Sequence, residues 1–258
     1  MVVLNVKRDG ASLFLHQTQL QTTVEDALAS LVAIHNGRLK ISRICAEVEA
    51  LADHGVESAP EVKGLLEDQI RELNLEDSEA QRCEPSGGSV ASPDPLQKRC
   101  GMAPNQDMKE VLAKTCQKAK DIISADKVKA KQTLVMRDIR ECLDILSGAV
   151  SIVYPMGLPR YDPIKAELEN REELQPASAK EVICEAEAML WFANKEMQRG
   201  KQLSDYFGQN EKTKVVVRLS TKQMGQPASD PFLDEEVRKI VYKNTKHSCT
   251  VLIAVFPL

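Results

Sequence analysis

The sequence predicts an α+β fold, mainly helical, in which an N-terminal β-hairpin and helix precede a helical domain. Two observations carry that prediction. A β-rich run from Val2 to Val6 reaches the turn pair Asp9-Gly10 and returns from Ser12 to Thr18, the pattern of a hairpin. Further on, Met108, Val111, Leu112, Thr115, Cys116, Ala119, Ile122 and Ile123 recur at helical spacing. Val135, Ile139, Cys142, Leu143, Leu146, Val150 and Val153 do so again.

In the returning strand, Leu13 and Leu15 fall on one face and Phe14 and His16 on the other. Thr22-Thr23-Val24-Glu25-Asp26 opens a helix with a Thr cap and an acid three residues later. Val24, Leu28, Leu31 and Ile34 or His35 keep its spacing, and Asn36-Gly37 predicts its stop. A second helix is expected from about Ile41 to Asp53, ended by His54-Gly55, and a short third one over 65–73. A hairpin followed by a helix predicts a ubiquitin-like β-grasp for residues 1–82. The third and fourth strands of that fold are not marked, and a simple ββα lid on a helical body is the competing arrangement.

Residues 83–104 hold four prolines and three glycines and read as an exposed linker. Asn105 caps the next helix, whose polar surface is rich in Lys109, Lys114, Lys118 and Lys120. Thr133 is expected to cap the one after it. The spacing there carries on to Tyr154, which favours a helix over a strand at 149–154. Asp162-Pro163, a cap with proline at the first helical position, starts a short acidic helix toward Leu174. Ser178 and Glu181 form a capping box that predicts a last long helix to about Arg199, with Val182, Ile183, Ala186, Leu190, Ala193 and Met197 inward. Residues 203–207 read as a turn, 215–219 as a strand and 230–242 as a polar helix. The helical domain is expected over 105–207 and a variable C-terminal segment over 208–258.

With 43% hydrophobic residues and a net charge of −4, the chain has the balance of an ordinary soluble protein. Nucleic-acid binding is not expected, since no domain is basic as a whole. The charge is uneven: residues 47–84 carry 12 acids against 3 bases, and residues 97–140 carry 11 bases against 5 acids. Either these are solvated faces, or the two parts dock on each other or on a charged partner. The seven cysteines are odd in number and widely spaced, without a C-x-x-C pair, which points away from metal and disulfide frameworks. The start, Met1-Val-Val-Leu-Asn-Val-Lys-Arg, does not read as a signal peptide, and no apolar run approaches the ~18 residues of a membrane span. A reducing cytoplasmic setting, with no membrane contact, is the expectation.

One stretch, 148–164, stands apart: Gly-Ala-Val-Ser-Ile-Val-Tyr-Pro-Met-Gly-Leu-Pro-Arg-Tyr-Asp-Pro-Ile. Pro155, Pro159 and Pro163 recur at intervals of four and impose a fixed path, because each locks its own φ and restrains its predecessor. Met156, Leu158, Tyr161 and Ile164 are too apolar for a solvated loop and pack on this protein or on a partner. Tyr154, Pro155, Met156, Gly157, Leu158, Pro159, Tyr161, Asp162 and Pro163 are therefore the candidate partner-binding or core-junction residues.

The same stretch resembles the signature of the kurly family of cilia- and flagella-associated proteins. Val6-Lys7-Arg8, Asn36-Gly37-Arg38-Leu39-Lys40, Leu203-Ser204-Asp205-Tyr206 and Asn210-Glu211-Lys212-Thr213-Lys214 agree as well, so the resemblance runs from Val2 to about Tyr242. It implies a non-enzymatic cytoplasmic factor for motile cilia, found also at the cilium and basal body, that assembles axonemal dynein arms with other assembly factors. A structural component of the axoneme or basal body, and a ubiquitin-like adaptor outside cilia, are the competing readings. Residues 246–258, which are apolar, depart from the basic tail that the resemblance implies. Their run Val251–Phe256 has the marks of an aggregation-prone segment.

No catalytic, cofactor-binding or metal-ligating residues stand out. His16, His35, His54 and His247 read as structural or solvent-facing. Glu167, Glu169, Glu172 and Glu173 read as a solvated helix face, and Trp191-Phe192 as core packing.

Overall fold

The computed structural model describes residues 1–222, apart from 66 and 76. The expected polar helix over 230–242 and the apolar tail lie outside the described residues.

Strands β1 (Val2–Arg8) and β2 (Ala11–Thr18) form the predicted hairpin. Asp9 and Gly10 both have positive φ, 49° and 81°, the geometry of a two-residue turn that matches strand twist. Helix α1 follows, from Val24 to His54, 31 residues long. Thr23 caps it by accepting from the Asp26 N–H at 3.1 Å. Gly55, at φ 81°, ends it where His54-Gly55 predicts.

Asn36-Gly37 does not break this helix, so the two expected helices are one. The Asn36 amide donates to the Ile183 carbonyl at 2.8 Å and accepts from the Ile183 N–H at 3.0 Å, bonding a neighbouring segment rather than closing a turn. Gly37 lies against Ile139 so closely that a Cβ there would fall 2.6 Å from Cγ2. The glycine serves close packing of two helices, and the burial it permits outweighs its ~1 kcal/mol cost in helix propensity.

Next come α2 (Glu67–Glu72), α3 (Ser78–Arg82), and a two-stranded ladder of β3 (Ser89–Ala91) and β4 (Met102–Pro104). Residues 83–104 are thus folded, contrary to the linker reading. Pro85 is buried, the Ser86 N–H bonds the Val153 carbonyl at 2.7 Å, and Arg99 is buried. The prolines and glycines shape a fixed path across the end of α1.

Helices α4 (Gln106–Ile123), α5 (Asp126–Lys129) and α6 (Met136–Val153) complete the helical layer. Asn105 caps α4 as expected, accepting from the Met108 N–H at 2.9 Å. The cap of α6 falls at Val135, not Thr133: the Asp138 carboxylate reaches back to the Val135 N–H at 3.0 Å. Two short helices follow, α7 (Pro163–Leu168) and α8 (Pro176–Glu181).

The expected long helix to Arg199 is absent. In its place stand β5 (Ala188–Phe192) and β6 (Lys195–Glu196), turned by Ala193 and Asn194, both at positive φ. Ala188 and Leu190 are buried on one face in strand alternation, and Leu190 pairs with Leu219. Pairing with the strand at 214–221 overrides the helical capping signal. A turn of helix, α9 (Ser204–Phe207), leads to β7 (Lys214–Thr221).

The five strands other than β3 and β4 form one sheet of order β2-β1-β7-β5-β6. β7 lies parallel to β1, with Leu4 beside Val215 and Val6 beside Val217. The sheet draws strands from residues 2–18 and 188–221, across the expected boundaries at 82 and 207. α1 packs against β5, α4, α6, α7 and β4. One continuous core results, from Val2, Leu4 and Val6 in the sheet to Leu112, Ile139 and Leu146 in the helices.

The close approach of α1 and α6 makes a counterintuitive prediction. Gly37→Ala should destabilise the protein by about 1–3 kcal/mol through overpacking, although alanine is the better helix former. Ile139→Ala in the same chain should recover part of that loss. A raised melting temperature for Gly37→Ala alone would contradict the packing argument.

Candidate functional site

Helix α6 stops because Pro155 follows. The Tyr154 N–H still bonds the Val150 carbonyl at 2.8 Å, but Pro155 has no N–H to continue the ladder. Pro155 and Gly157 occupy the second and fourth positions of a turn closed by the Gly157 N–H to the Tyr154 carbonyl at 2.9 Å. A second turn closes from the Asp162 N–H to the Pro159 carbonyl at 3.2 Å. Asp162 then caps α7, its Oδ1 accepting from the Ile164 N–H at 2.9 Å, with Pro163 at the first helical position as predicted.

The candidate residues divide by burial. Tyr154, Leu158, Pro159 and Asp162 are buried, whereas Gly157, Tyr161 and Pro163 are half-buried. Pro155 is exposed, and Met156 is the most exposed large apolar side chain among the described residues at 77%. Ile152, one helical turn earlier, is 61% exposed.

Beneath the turn lies a polar anchor. Asp162 is 0% exposed, and its Oδ2 accepts from the Glu57 N–H at 3.2 Å. Arg99 Nη1 stands 4.0 Å from that oxygen and donates to the Gly55 carbonyl at 2.9 Å. Arg99 Nη2 donates to Glu47 Oε2 at 2.6 Å. Burial pushes the Asp162 carboxyl up from its ordinary value, while Arg99 and the two N–H groups act against that shift.

Tyr161 extends the anchor sideways: its phenol donates to Asp77 Oδ1 at 2.5 Å. Asp77 in turn accepts from Ala80 N–H at 2.9 Å, capping α3, and from Ala59 N–H at 2.7 Å. Burial, and next the bond to Asp77, raise the Tyr161 phenol. The Tyr154 phenol is raised by burial first, and its hydroxyl has no hydrogen-bond partner among the described residues.

Sequence reasoning missed Arg99, Asp77 and a third pair. Glu167, read as solvated, is buried and bonded by Arg43 at 2.5 Å and 3.0 Å, with Lys40 3.9 Å away. These partners stand 52, 84 and 124 residues apart along the chain, beyond the reach of any local motif. Each carboxylate is committed to internal donors, so what the arrangement does is hold the turn. Among the described residues no group of three or more His, Cys, Asp or Glu side chains could hold a metal ion, and no helix is long and apolar enough to cross a membrane.

Comparison with known proteins agrees with the signature. A family model for "Cilia- and flagella-associated protein 298" matches residues 188–248. The protein of that name from Rattus norvegicus is 48% identical over 240 residues, covering 93% of this chain and 83% of its own. The chain belongs to the cilia- and flagella-associated protein 298 family. The Homo sapiens member is 48% identical over 234 residues, covering 90% of this chain and 81% of its own. The Drosophila melanogaster member is 43% identical over 240 residues, covering 93% and 82%. No solved structure matches the chain.

The buried side chains of the turn differ in what they hold. Tyr154→Phe should be neutral or stabilise by up to about 1 kcal/mol, since the hydroxyl it removes is buried without a partner among the described residues. Asp162→Ala should cost about 1–3 kcal/mol, because it leaves the Glu57 and Ile164 N–H groups without their acceptor and removes one of the two carboxylates beside the buried Arg99. Chemical denaturation of both variants tests the contrast, and equal effects would contradict it.

A pH effect follows from His35, which joins α1 to β1. Arg8 Nη1 donates to its Nε2 at 2.8 Å. Burial, with Arg8 and Arg38 adding to it against the Glu181 carbonyl, lowers the ring from 6.5 to about 4. The folded ring stays neutral while the unfolded one takes up a proton below 6.5, so stability falls as pH drops through 6.5 toward 4. Between pH 7 and pH 5 the loss should be about 2 kcal/mol, with His16, also lowered by burial, acting in the same direction. Urea unfolding across that range measures it, and the slope should largely vanish in His35→Leu.

Proposed function

We propose that this chain is a non-enzymatic cytoplasmic factor for motile cilia, serving the assembly of axonemal dynein arms by binding other assembly factors. The names of its relatives, cilia- and flagella-associated proteins from mammal to insect, support the ciliary setting. One structural observation carries the binding role. The signature turn is tied down from beneath by Asp162, Tyr161 and Leu158, yet it presents Pro155 and Met156 outward beside Ile152. A rigid apolar tip loses little conformational entropy on binding, and an exposed methionine adapts to the surface it meets.

In this reading the sheet and α1 form a β-grasp: a hairpin, a helix across one face, and a later strand, β7, inserted parallel to the first. The helical elements between Gly55 and Glu187 are then an insertion that carries the signature turn, and the β-grasp is their scaffold. This arrangement rests on the order β2-β1-β7-β5-β6 and the parallel β1–β7 pair.

Met156→Asp tests the assignment. It should leave the melting temperature within about 2 °C, as surface changes do, and abolish rescue of ciliary beating in cells lacking the protein. Proximity labelling in ciliating cells should mark dynein chains or their assembly factors in the detergent-soluble fraction. Retention with microtubules after detergent extraction would instead favour a structural component of the axoneme or basal body.

A further inference from the structure

A groove of ≈ 820 Å³ runs beside the anchor, lined by residues between Ser58 and Met102. Val62, Leu65, Ile70, Leu75, Ala80 and Met102 supply apolar walls. Met102, which lines the groove, is 46% exposed, and Leu73, Val90 and Leu96, exposed large apolar side chains outside the lining, belong to the same part of the chain. Apolar surface left in water costs about 25 cal/mol per Å², and its concentration around a concavity marks a binding site.

Charge selects the occupant. Asp77, Glu84 and Asp94 line the groove against a single cation, Arg99. That guanidinium is turned inward to the Gly55 carbonyl and Glu47. Of the acids in the segment 47–84, Asp77 and Glu84 reach the wall, and Asp94 joins them from the following segment. Asp77 is occupied by the Ala59 and Ala80 N–H groups and Tyr161, and Asp94 by the N–H groups of Leu96, Lys98 and Arg99. Their charges therefore act as a field rather than as free ligating groups. Glu84 is exposed and has no hydrogen-bond or ion-pair partner among the described residues.

We propose that this groove binds a basic amphipathic segment of a partner protein, its apolar side chains against Val62, Ile70 and Met102 and its lysines or arginines toward Glu84 and the acidic rim. The surface is separate from the tip of the signature turn, since neither Ile152 nor Met156 lines it. The inference does not depend on which partner the tip engages.

The test uses the full chain and a fluorescent peptide of leucines and lysines at helical spacing, followed by anisotropy. The probe should bind saturably and weaken as salt is raised. Glu84→Lys and Met102→Asp should each raise Kd about tenfold. Glu141→Lys, an equal charge change on α6 away from the groove, should leave Kd unaltered. The same peptide with glutamate for lysine should not bind. Circular dichroism melts confirm folding, and the exposed Glu84 variant carries the test if Met102→Asp does not fold. Absence of saturable binding would overturn the proposal, as would equal weakening by Glu141→Lys or equal affinity for the acidic peptide.

Discussion

The carboxylate of Asp162 is the constraint on which the helical part depends. It is fully buried, and a lone charge in that position costs several kcal/mol. Its two oxygens meet that cost by taking one N–H each from Glu57 and Ile164, with Arg99 alongside. Those four residues come from three separate segments: the exit of α1, the approach to β4, and the signature turn where it enters α7. A buried ion tolerates its site only when every partner is in place. The prolines of the turn do the complementary work by removing alternatives before folding begins. Asp162-Pro163 is therefore at once a local helix start and the lock for contacts far away in sequence.

Helix α1 is the second organising element, and charge as well as packing orients it. Its C-terminal half carries Glu47, Glu49 and Asp53, which face Arg99, Lys120 and Lys109 at 2.6 Å, 2.5 Å and 2.5 Å. The acidic and basic stretches of the sequence thus dock on each other. The exposed pairs contribute little individually. Arg99 differs because its guanidinium is buried, so loss of its partners would leave a charge without water. Between α1 and α4 the buried Cys45, Val48, Leu112 and Cys116 belong to the common core, with the ion pairs at its rim.

Sequence reasoning read well wherever the deciding interaction is local. The Asp9-Gly10 turn, the caps at Thr23, Asn105 and Asp162, and the stripes of α4 and α6 all rest on residues a few positions apart, and strand β7 on the β-branched run of its own residues. It failed where a distant partner reversed a local preference. Gly37 reads as a stop until Ile139 is placed against it. Residues 188–199 read as a helix until β7 offers an edge to pair with. The segment 83–104 reads as a linker until Arg99 finds Glu47 and Asp162. At the candidate site the turn itself was legible, because proline and glycine act on their own backbone. Which of its side chains point inward was not, because that depends on Glu57, Asp77 and Arg99.

The sheet adds a consequence for how the chain reaches this state. β1 is an inner strand of the described sheet, between β2 and β7, and its second neighbour is supplied by residues 214–221. Until that strand arrives, the hairpin presents an unpaired edge and an apolar face made of Val2, Leu4 and Val6. The entropy of closing so long a loop grows only with the logarithm of its length, so the intervening helices add little to the equilibrium cost. The rate is another matter, since pairing across that separation is slow and leaves the edge open meanwhile. α1 shortens the exposure. It follows the hairpin directly, and Arg8 to His35 and Arg38 over Phe14 can form before β7 exists. The hairpin and α1 are therefore the local unit on which the helical layer and then the late strand can assemble.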